Sequence, residues 1–288
     1  MKKLWILLCT VLLAGWAMGQ EGEDVKPTYE TFKDTRIVNS HSVEMEHVGE
    51  LKLIIGHRFG QINRGWRDLF GIDAATMRWG LDYGITDYLS IGFGRSSFQK
   101  NYDGYAKVRL LHQSSGARNM PLSLVYFTDV ALNSSEWADP DRENFFSSRL
   151  IYSHQLLIAR KVSDFFSVQL MPTLVHRNLI TDSEAEKNDV YSMGAATRFQ
   201  LTKSVAFNAE YFYTLADQIN TDIYQTSILS FGVNIETNGH HFQLHVSNAQ
   251  GMVNRFYVAE TTGDFFNGDI HLGFNITRSF QIRGRKYK

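Results

Sequence analysis

From residue 49 to the end of the chain, apolar side chains recur at every second position in runs of about ten, the length and period of barrel strands. Leu51, Leu53, Ile55 and Phe59 share one parity, and Lys52 and Arg58 take the other. Met77, Trp79, Leu81, Tyr83 and Ile85 oppose Arg78, Gly80, Asp82 and Gly84, while Leu89, Ile91 and Phe93 oppose Ser90, Gly92 and Gly94. The rhythm continues through 106–110, 122–130, 150–158, 166–174, 193–199, 205–213, 229–235, 242–246 and 270–276. It predicts about twelve strands, an even number within the range of bacterial outer-membrane barrels.

Alternation alone would also suit a soluble β-sandwich or a lipocalin-like barrel. Two features separate these. Connections alternate in length: short links at Thr86-Asp87, Ser163-Asp164, Thr202-Lys203 and Thr237-Asn238, longer polar ones at 63–71, 133–144, 177–189, 216–222 and 249–263. Short periplasmic turns and long outer loops give a membrane barrel this rhythm. The non-apolar parity, moreover, holds Lys52, Arg58, Arg78, Asp82, Lys107, Arg109, Asp129, Arg149, Arg198 and Glu210. Unpaired buried charges cost several kcal/mol each, so a soluble fold could not hide them. With lipid against the apolar parity and a wet lumen against the charges, the difficulty disappears. The expected fold is an all-β transmembrane antiparallel barrel. Two positions sit badly in the pattern: His154 falls on the lipid parity, and Pro172 interrupts the ladder of its strand, where a bulge would shift the local facing. The stretch 114–121 is long for an inner turn.

Composition narrows the reading further. A formal charge of -1 over 288 residues offers no basic surface for nucleic acid. Mean hydropathy is -0.24, and after the first twenty residues no uncharged run is long enough for a membrane-crossing helix. Met1-Lys2-Lys3, an apolar run to Trp16 and Ala17-Met18-Gly19 read as a secretory signal peptide, residues 1–19, cleaved before Gln20. The other reading, a short membrane anchor, has too few apolar residues to span. Cys9 lies inside this leader and Leu8 precedes it, which argues against a lipoprotein signal; the expected mature chain has neither disulfide nor thiol chemistry. Residues 20–47 form a polar periplasmic segment or plug with Phe32, Ile37 and Val38 as apolar anchors, and 48–288 form the barrel.

The stretch ATMRWGLDYGITDYLSIGFGRSS (75–97) resembles a family of outer-membrane β-barrels of unknown function from Bacteroidota-type Gram-negative bacteria. The likeness extends through TRIVNSHSVE (35–44), GHRFG (56–60), NYDGYAKVRLLHQSSG (101–116) and SNAQGMVNRFYV (247–258), nearly the whole mature chain. It implies location and fold, and carries no catalytic or ligand residue with it. Because Asn39 and His41 belong to these motifs, the segment before the barrel is expected to be ordered.

The lumen-lining candidates are Lys52, Arg58, Arg78, Asp82, Lys107, Arg109, Arg149, Arg198, Glu210, His241, His245 and His271. With Arg177, Asp129 and Asp269 added, cations outnumber carboxylates. In a bore this narrow such an excess favours small anions, or else the charges pair across the lumen and fill it. Acidic residues of the long loops (Glu136, Asp139, Asp141, Glu143, Asp182, Glu184, Glu186) read as a solvated surface. His245-Val246-Ser247 places a base and a hydroxyl two residues apart, as in outer-membrane phospholipase A, but its parity faces the lumen rather than lipid. His241, His245 and His271 share that parity without a ligand pattern that favours a metal over a hydrogen-bonded lining. The expectation is therefore a non-enzymatic channel or transporter for small polar or anionic solutes, with no cofactor, metal or catalytic residue. The alternative is a non-conducting barrel that serves as an interaction partner of periplasmic or surface proteins. Expected partners are outer-membrane lipid, a small solute and, during biogenesis, the barrel-assembly machinery; nucleic acid is not among them.

Overall fold

The computed structural model describes residues 24–137, 139–180 and 184–283. The expected leader with Cys9, and likewise Asp182 and the basic Arg285, Lys286 and Lys288, lie outside the described residues. Twelve strands alternate direction around a closed ring. They are β1 (Glu50–Gln61), β2 (Ala75–Thr86), β3 (Leu89–Ser96), β4 (Asn101–Leu111), β5 (Ser123–Asn133), β6 (Leu150–Lys161), β7 (Phe166–Arg177), β8 (Asp189–Gln200), β9 (Val205–Thr214), β10 (Ser227–Thr237), β11 (His240–Ser247) and β12 (His271–Gln281). Each pairs with its neighbours in sequence, and β12 returns to β1 with Ile276 opposite Ile55, so no edge is left unpaired.

The facing of the side chains inverts that of a soluble protein. Trp79, Leu81, Phe93, Leu170, Met193, Tyr211 and Leu244 are exposed on the outer surface, whereas Arg58, Arg78, Asp82, Lys107, Arg198 and Glu210 are each at most 3% exposed inside. Only hydrocarbon outside the ring makes that arrangement favourable. Outward-facing Arg95, Arg160 and Arg278 lie near strand ends. Arg95 and Arg278 rest on Tyr102 and Phe280, from where a guanidinium can snorkel to the headgroups.

His154 does face outward, and it is not isolated: Tyr126 Oη and Thr128 Oγ1 lie 2.8 and 3.2 Å from its Nδ1. The ladder is interrupted beside Pro172, as expected, and no bulge shifts the facing there. The β6–β7 ladder is merely interrupted between the pairs Gln155–Thr173 and Ile158–Leu170, with one register on both sides, and Pro172 stays opposite Met193 on β8. Proline lacks a donor for the ladder, and the gap accommodates it without moving any side chain to the other face.

The long inner link between β4 and β5 anchors the N-terminal segment. Ser114–Ser115 pairs with Lys26–Pro27, Thr28 N–H donates to Gln113 O at 2.8 Å, and His112 Nε2 donates to Thr28 O at 2.8 Å. From this rim the chain turns into the lumen, and residues 31–43 are buried apart from half-buried Lys33. It doubles back at Ile37–Ser40, where Ile37 N–H donates to Ser40 O and Ser42 N–H to Thr35 O. It leaves past Gly84, whose carbonyl accepts from Gly49 N–H at 2.9 Å before β1 begins. The N-terminal segment is thus a hairpin inserted into the bore from the periplasmic side.

On the other side, the connection between β11 and β12 folds inward through a single π-helical turn, Arg255–Ala259, with Phe256, Tyr257, Val258 and Ala259 buried. Between the two insertions lies an apolar cluster that includes Phe32, Ile37 and Val43 of the hairpin, Val125, Phe127, Leu157, Met171, Val175, Val190, Phe212 and Ile228 of the wall, and Phe256 and Tyr257 of the loop. The lumen is therefore two-sided: β1–β4 face it with charges, while β5–β9 supply much of a dry core.

Gly84 marks the tightest passage. A Cβ there would lie 2.0 Å from His47 O and 2.7 Å from Glu46 O, backbone atoms that cannot swing away. Gly84→Val is expected to cost about 1–3 kcal/mol of barrel stability, the usual cost of overpacking. Urea titration of the heat-shifted gel band measures it, and an unchanged midpoint would contradict the close packing described.

Candidate functional site: an occluded lumen

The hairpin tip is held by its own amides. Glu210 of β9 accepts from the N–H of Val38 (3.4 Å), Asn39 (3.2 Å) and Ser40 (3.0 Å), and from the Ser40 hydroxyl at 2.6 Å. A tight turn aims consecutive N–H groups to one side, and a carboxylate placed there receives several charge-assisted bonds at once. Asn39 donates to Ser230 Oγ (2.8 Å) and Ser247 Oγ (3.2 Å) and accepts from Arg58 Nη2 at 3.3 Å. The carbonyl of Ile37 accepts from Asn208 Nδ2 at 3.2 Å and from Gln243, and that of Val38 from Asn275 Nδ2 at 3.3 Å.

Further down, wall cations close on the hairpin stem. Lys107 Nζ donates to the carbonyls of Thr35 (3.2 Å), Ser42 (3.0 Å) and Glu44 (2.8 Å). Lys52 Nζ lies 2.8 Å from Asp34 Oδ1 and 3.8 Å from Glu46, and Thr277 Oγ1 donates to the other Asp34 oxygen at 2.8 Å. Gln169 bridges both directions, donating to His41 O (2.8 Å) and accepting from Val43 N–H (3.0 Å). The His41 ring stands 4.5 Å from Tyr105 and 4.2 Å from Phe127, centroid to centroid. Arg198 Nη1 donates to Glu30 O at 2.8 Å, and Lys33 pairs with Glu236 at 3.0 Å near the periplasmic rim. Arg78, lying across Gly80 and Gly94 where any side chain would displace it, pairs within the wall with Asp103.

Above the tip, Thr214 Oγ1 donates to Val258 O at 2.7 Å, Tyr257 packs on Phe212, and Phe256 meets Phe98 edge-on. What remains between tip and loop is a cavity of about 20 Å³ lined by Arg36, Asn39, Arg58, Arg78 and Met252, room for roughly one water.

Not every sequence-predicted residue lines this bore. Arg149 is corrected to the outer mouth: it ends the 3-10 turn Phe146–Arg149 rather than sitting on a strand, donates to Asn133 O and Ser135 O, and stacks over Trp137. Arg109 lies by the register shift of β4 at the periplasmic rim and donates to Asp87 O. Asp269 belongs to the outer loop, bonded to Asn63. Glu186 is not a solvated loop residue; it is 4% exposed and pairs with Arg177 at 3.0 Å. The histidines are apart in role: His271 Nδ1 lies 2.8 Å from Phe59 O, both nitrogens of buried His245 lack a partner, and His241 is half-buried. Ser247 bonds Ser230 and Asn39 rather than His245, and both face inward. Among the described residues no three His, Cys, Asp or Glu side chains gather as a metal site would need. Asp34, Arg36, Glu46, Asp103 and Tyr105 were absent from the predicted set. Asp103 and Tyr105 share the parity of Lys107 and were readable on that ground, whereas the hairpin charges carry no periodic signal.

Two hairpin groups make docking depend on pH. Burial and the charges of Arg36, Lys107 and Arg78 push the His41 imidazole well below its ordinary 6.5, so the docked ring is neutral. Burial alone would raise Asp34, but Lys52 and Thr277 hold it at about 2. As pH falls below about 6.5, the undocked hairpin gains a proton on His41 that the docked one refuses, and docking weakens by up to about 1.4 kcal/mol per pH unit. The Asp34 contribution is complete above the ordinary carboxylate range and is lost as pH falls from about 4 towards 2. Hydrogen exchange of residues 31–43, corrected for intrinsic rates, is expected to show opening that rises roughly tenfold per unit below pH 6.5. His41→Gln flattens that rise, and Glu210→Ala raises opening at every pH. A pH-independent hairpin would contradict the neutral His41.

The family model described as "Membrane bound beta barrel domain (DUF5777)" matches residues 32–280, the hairpin included. No curated protein matches the sequence. Among solved structures, the KdgM porin is similar at 12% identity and a TM-score of 0.45, over 80% of this chain and 99% of that one. An outer-membrane channel from Pseudomonas putida F1 gives 12% and 0.48 over 82% and 97%, and outer-membrane phospholipase A from Escherichia coli 11% and 0.45 over 84% and 97%. These likenesses concern the barrel fold alone. With its closed ring of strands, its outward apolar face and a family match that spans hairpin and barrel, the chain belongs to the membrane-bound β-barrel domain family of unknown function.

Proposed function

We propose that this outer-membrane barrel is a gated channel for small polar solutes, with a preference for anions, closed here by its own N-terminal hairpin. One observation carries the reading: wall and hairpin are complementary in charge. With Arg177 already matched by Glu186, the buried wall carries Lys52, Arg58, Arg78, Lys107 and Arg198 against Asp82, Asp103, Asp129 and Glu210. The hairpin brings Glu30, Asp34, Glu44 and Glu46 against Lys33 and Arg36. Withdrawing it leaves a bore with an excess of fixed positive charge, whose low-dielectric walls concentrate the field on a permeating ion. A purely structural barrel has no need of a polar wall whose partners sit on a removable segment. Outer-membrane lipid and, during biogenesis, assembly machinery are the partners this reading supposes, and a Bacteroidota-type Gram-negative source is part of the same proposal. The second reading, a non-conducting barrel that serves as an interaction partner, draws on the double closure of the bore.

Planar-bilayer recording separates the two. The full chain is expected to stay closed for most of the time. A chain that lacks residues 24–46 and has 252–260 replaced by a short Gly-Ser link should conduct steadily, with a reversal potential favouring chloride over potassium several-fold. Silence from that variant while its gel band still shifts on heating would favour the second reading, and a cation preference would remove the anionic solute.

A further inference from the structure

One stretch of the lipid-facing surface is not purely apolar. Across β4, β5 and β6 the outward residues Ala106, Thr128 and His154 stand directly opposite one another, and Gly104, Val130 and Tyr152 form the next row towards the outer end. His154 is exposed there. Its Nδ1 lies within hydrogen-bond reach of the Tyr126 and Thr128 hydroxyls, while its Nε2 has no partner among the described residues. A neutral imidazole carries one donor and one acceptor nitrogen. Whichever role Nε2 takes, hydrocarbon offers it nothing, and the ester and phosphate groups of lipids stay at the membrane surface. A polar group held at such a place is expensive unless a protein partner meets it.

Gly104 is the second feature. Its φ lies outside the left-handed region, the ladders to β3 and β5 run through it without a bulge, and a Cβ there would meet nothing nearer than Gly92 O at 4.0 Å. Neither the backbone nor the packing of the barrel requires a glycine, and a glycine inside a strand marks a place where something else approaches closely. With Ala106 it leaves a notch beside the paired rings of Phe93 and Tyr102. Notch and imidazole lie on opposite sides of β5, two strand spacings or about 10 Å apart. A two-fold axis along the membrane normal that passes beside β5 exchanges β4 with β6, and so sets the His154 side of one copy against the Gly104 side of the other. That self-complementarity is what an isologous contact requires. In lipid, small residues permit close approach and hydrogen-bonding side chains hold the surfaces together. An identical copy brings the hydroxyls of Tyr126 and Thr128, either of which can donate or accept.

We infer that the outer face of β4–β6 is the contact surface of a two-fold dimer within the membrane, the partner being a second copy of this chain. Each copy keeps its own bore, so the contact is independent of whether that bore conducts.

Light scattering of the purified full chain in mild detergent is expected to give the mass of a dimer. The one cysteine of the chain, Cys9, lies in the expected leader, so a cysteine introduced on the barrel reports its own position. In outer membranes under mild oxidation, Val130→Cys beside the axis should cross-link to a dimer. Leu244→Cys, equally open to lipid but on β11 at the opposite side of the ring, should not. Gly104→Leu fills the notch without touching the wall and should weaken the dimer at least tenfold, with the heat-shifted band intact. His154→Leu removes the polar group and should weaken it about as much. A monomeric mass, with or without retained lipid, overturns the inference. So does a Leu244→Cys chain that cross-links as readily as Val130→Cys, or a Gly104→Leu or His154→Leu variant that dimerises as tightly as the parent.

Discussion

A ring of twelve strands encloses a bore too wide for its own wall side chains to fill and too narrow to hydrate every charge as bulk water would. The structure answers this constraint with backbone. The hairpin presents carbonyls to Lys107, amides to Glu210 and a carboxylate to Lys52, so ionised wall groups that would be costly alone become its anchors. Each of these bonds reaches from the wall to a segment outside the sheet. The barrel and its contents are therefore one cooperative unit, and the polarity of the wall has meaning only in relation to what it holds.

Much of the barrel was legible because strand facing has a strict period of two. The parity that placed Arg78 with Asp82, and Trp79 with Leu81, needs no tertiary information, and neither does the alternation of short and long links. What escaped was whatever the period does not encode. Val125, Phe127, Leu157 and Met171 occupy the lumen parity, so the wet lumen expected from the charged positions is apolar over an arc. A hydrophobic residue on that parity is uninterpretable until the hairpin's Phe32, Ile37 and Val43 are seen against it. Arg149 misled because counting parity past the start of β6 treats a loop as a strand. Glu186 misled for the complementary reason: a loop carboxylate folds back onto Arg177 at the strand end, and sequence gives no sign of the return.

The two insertions are unlike in kind. The hairpin meets the wall through hydrogen bonds and ion pairs on one side and an apolar seam on the other, a contact that exchange with water can replace group by group. The outer turn is held largely by aromatic packing, Tyr257 on Phe212 and Phe256 on Phe98, with few polar bonds to the wall. π-Helical turns are rare and recur at functional positions, and here the turn is the partition between lumen and outer mouth.

The join between hairpin and first strand also governs how the molecule is made. Asp34 is 18 residues from Lys52 but 243 from Thr277, and Asn39 is 208 from Ser247, yet all meet in the finished bore. Contacts of such sequence separation form late, after the entropy of closing very long loops has been met. The residues ahead of β1 therefore wait for the last strands before their contacts are complete. Seating the hairpin and sealing the cylinder thus draw on the same long-range contacts, between residues ahead of β1 and the last strands.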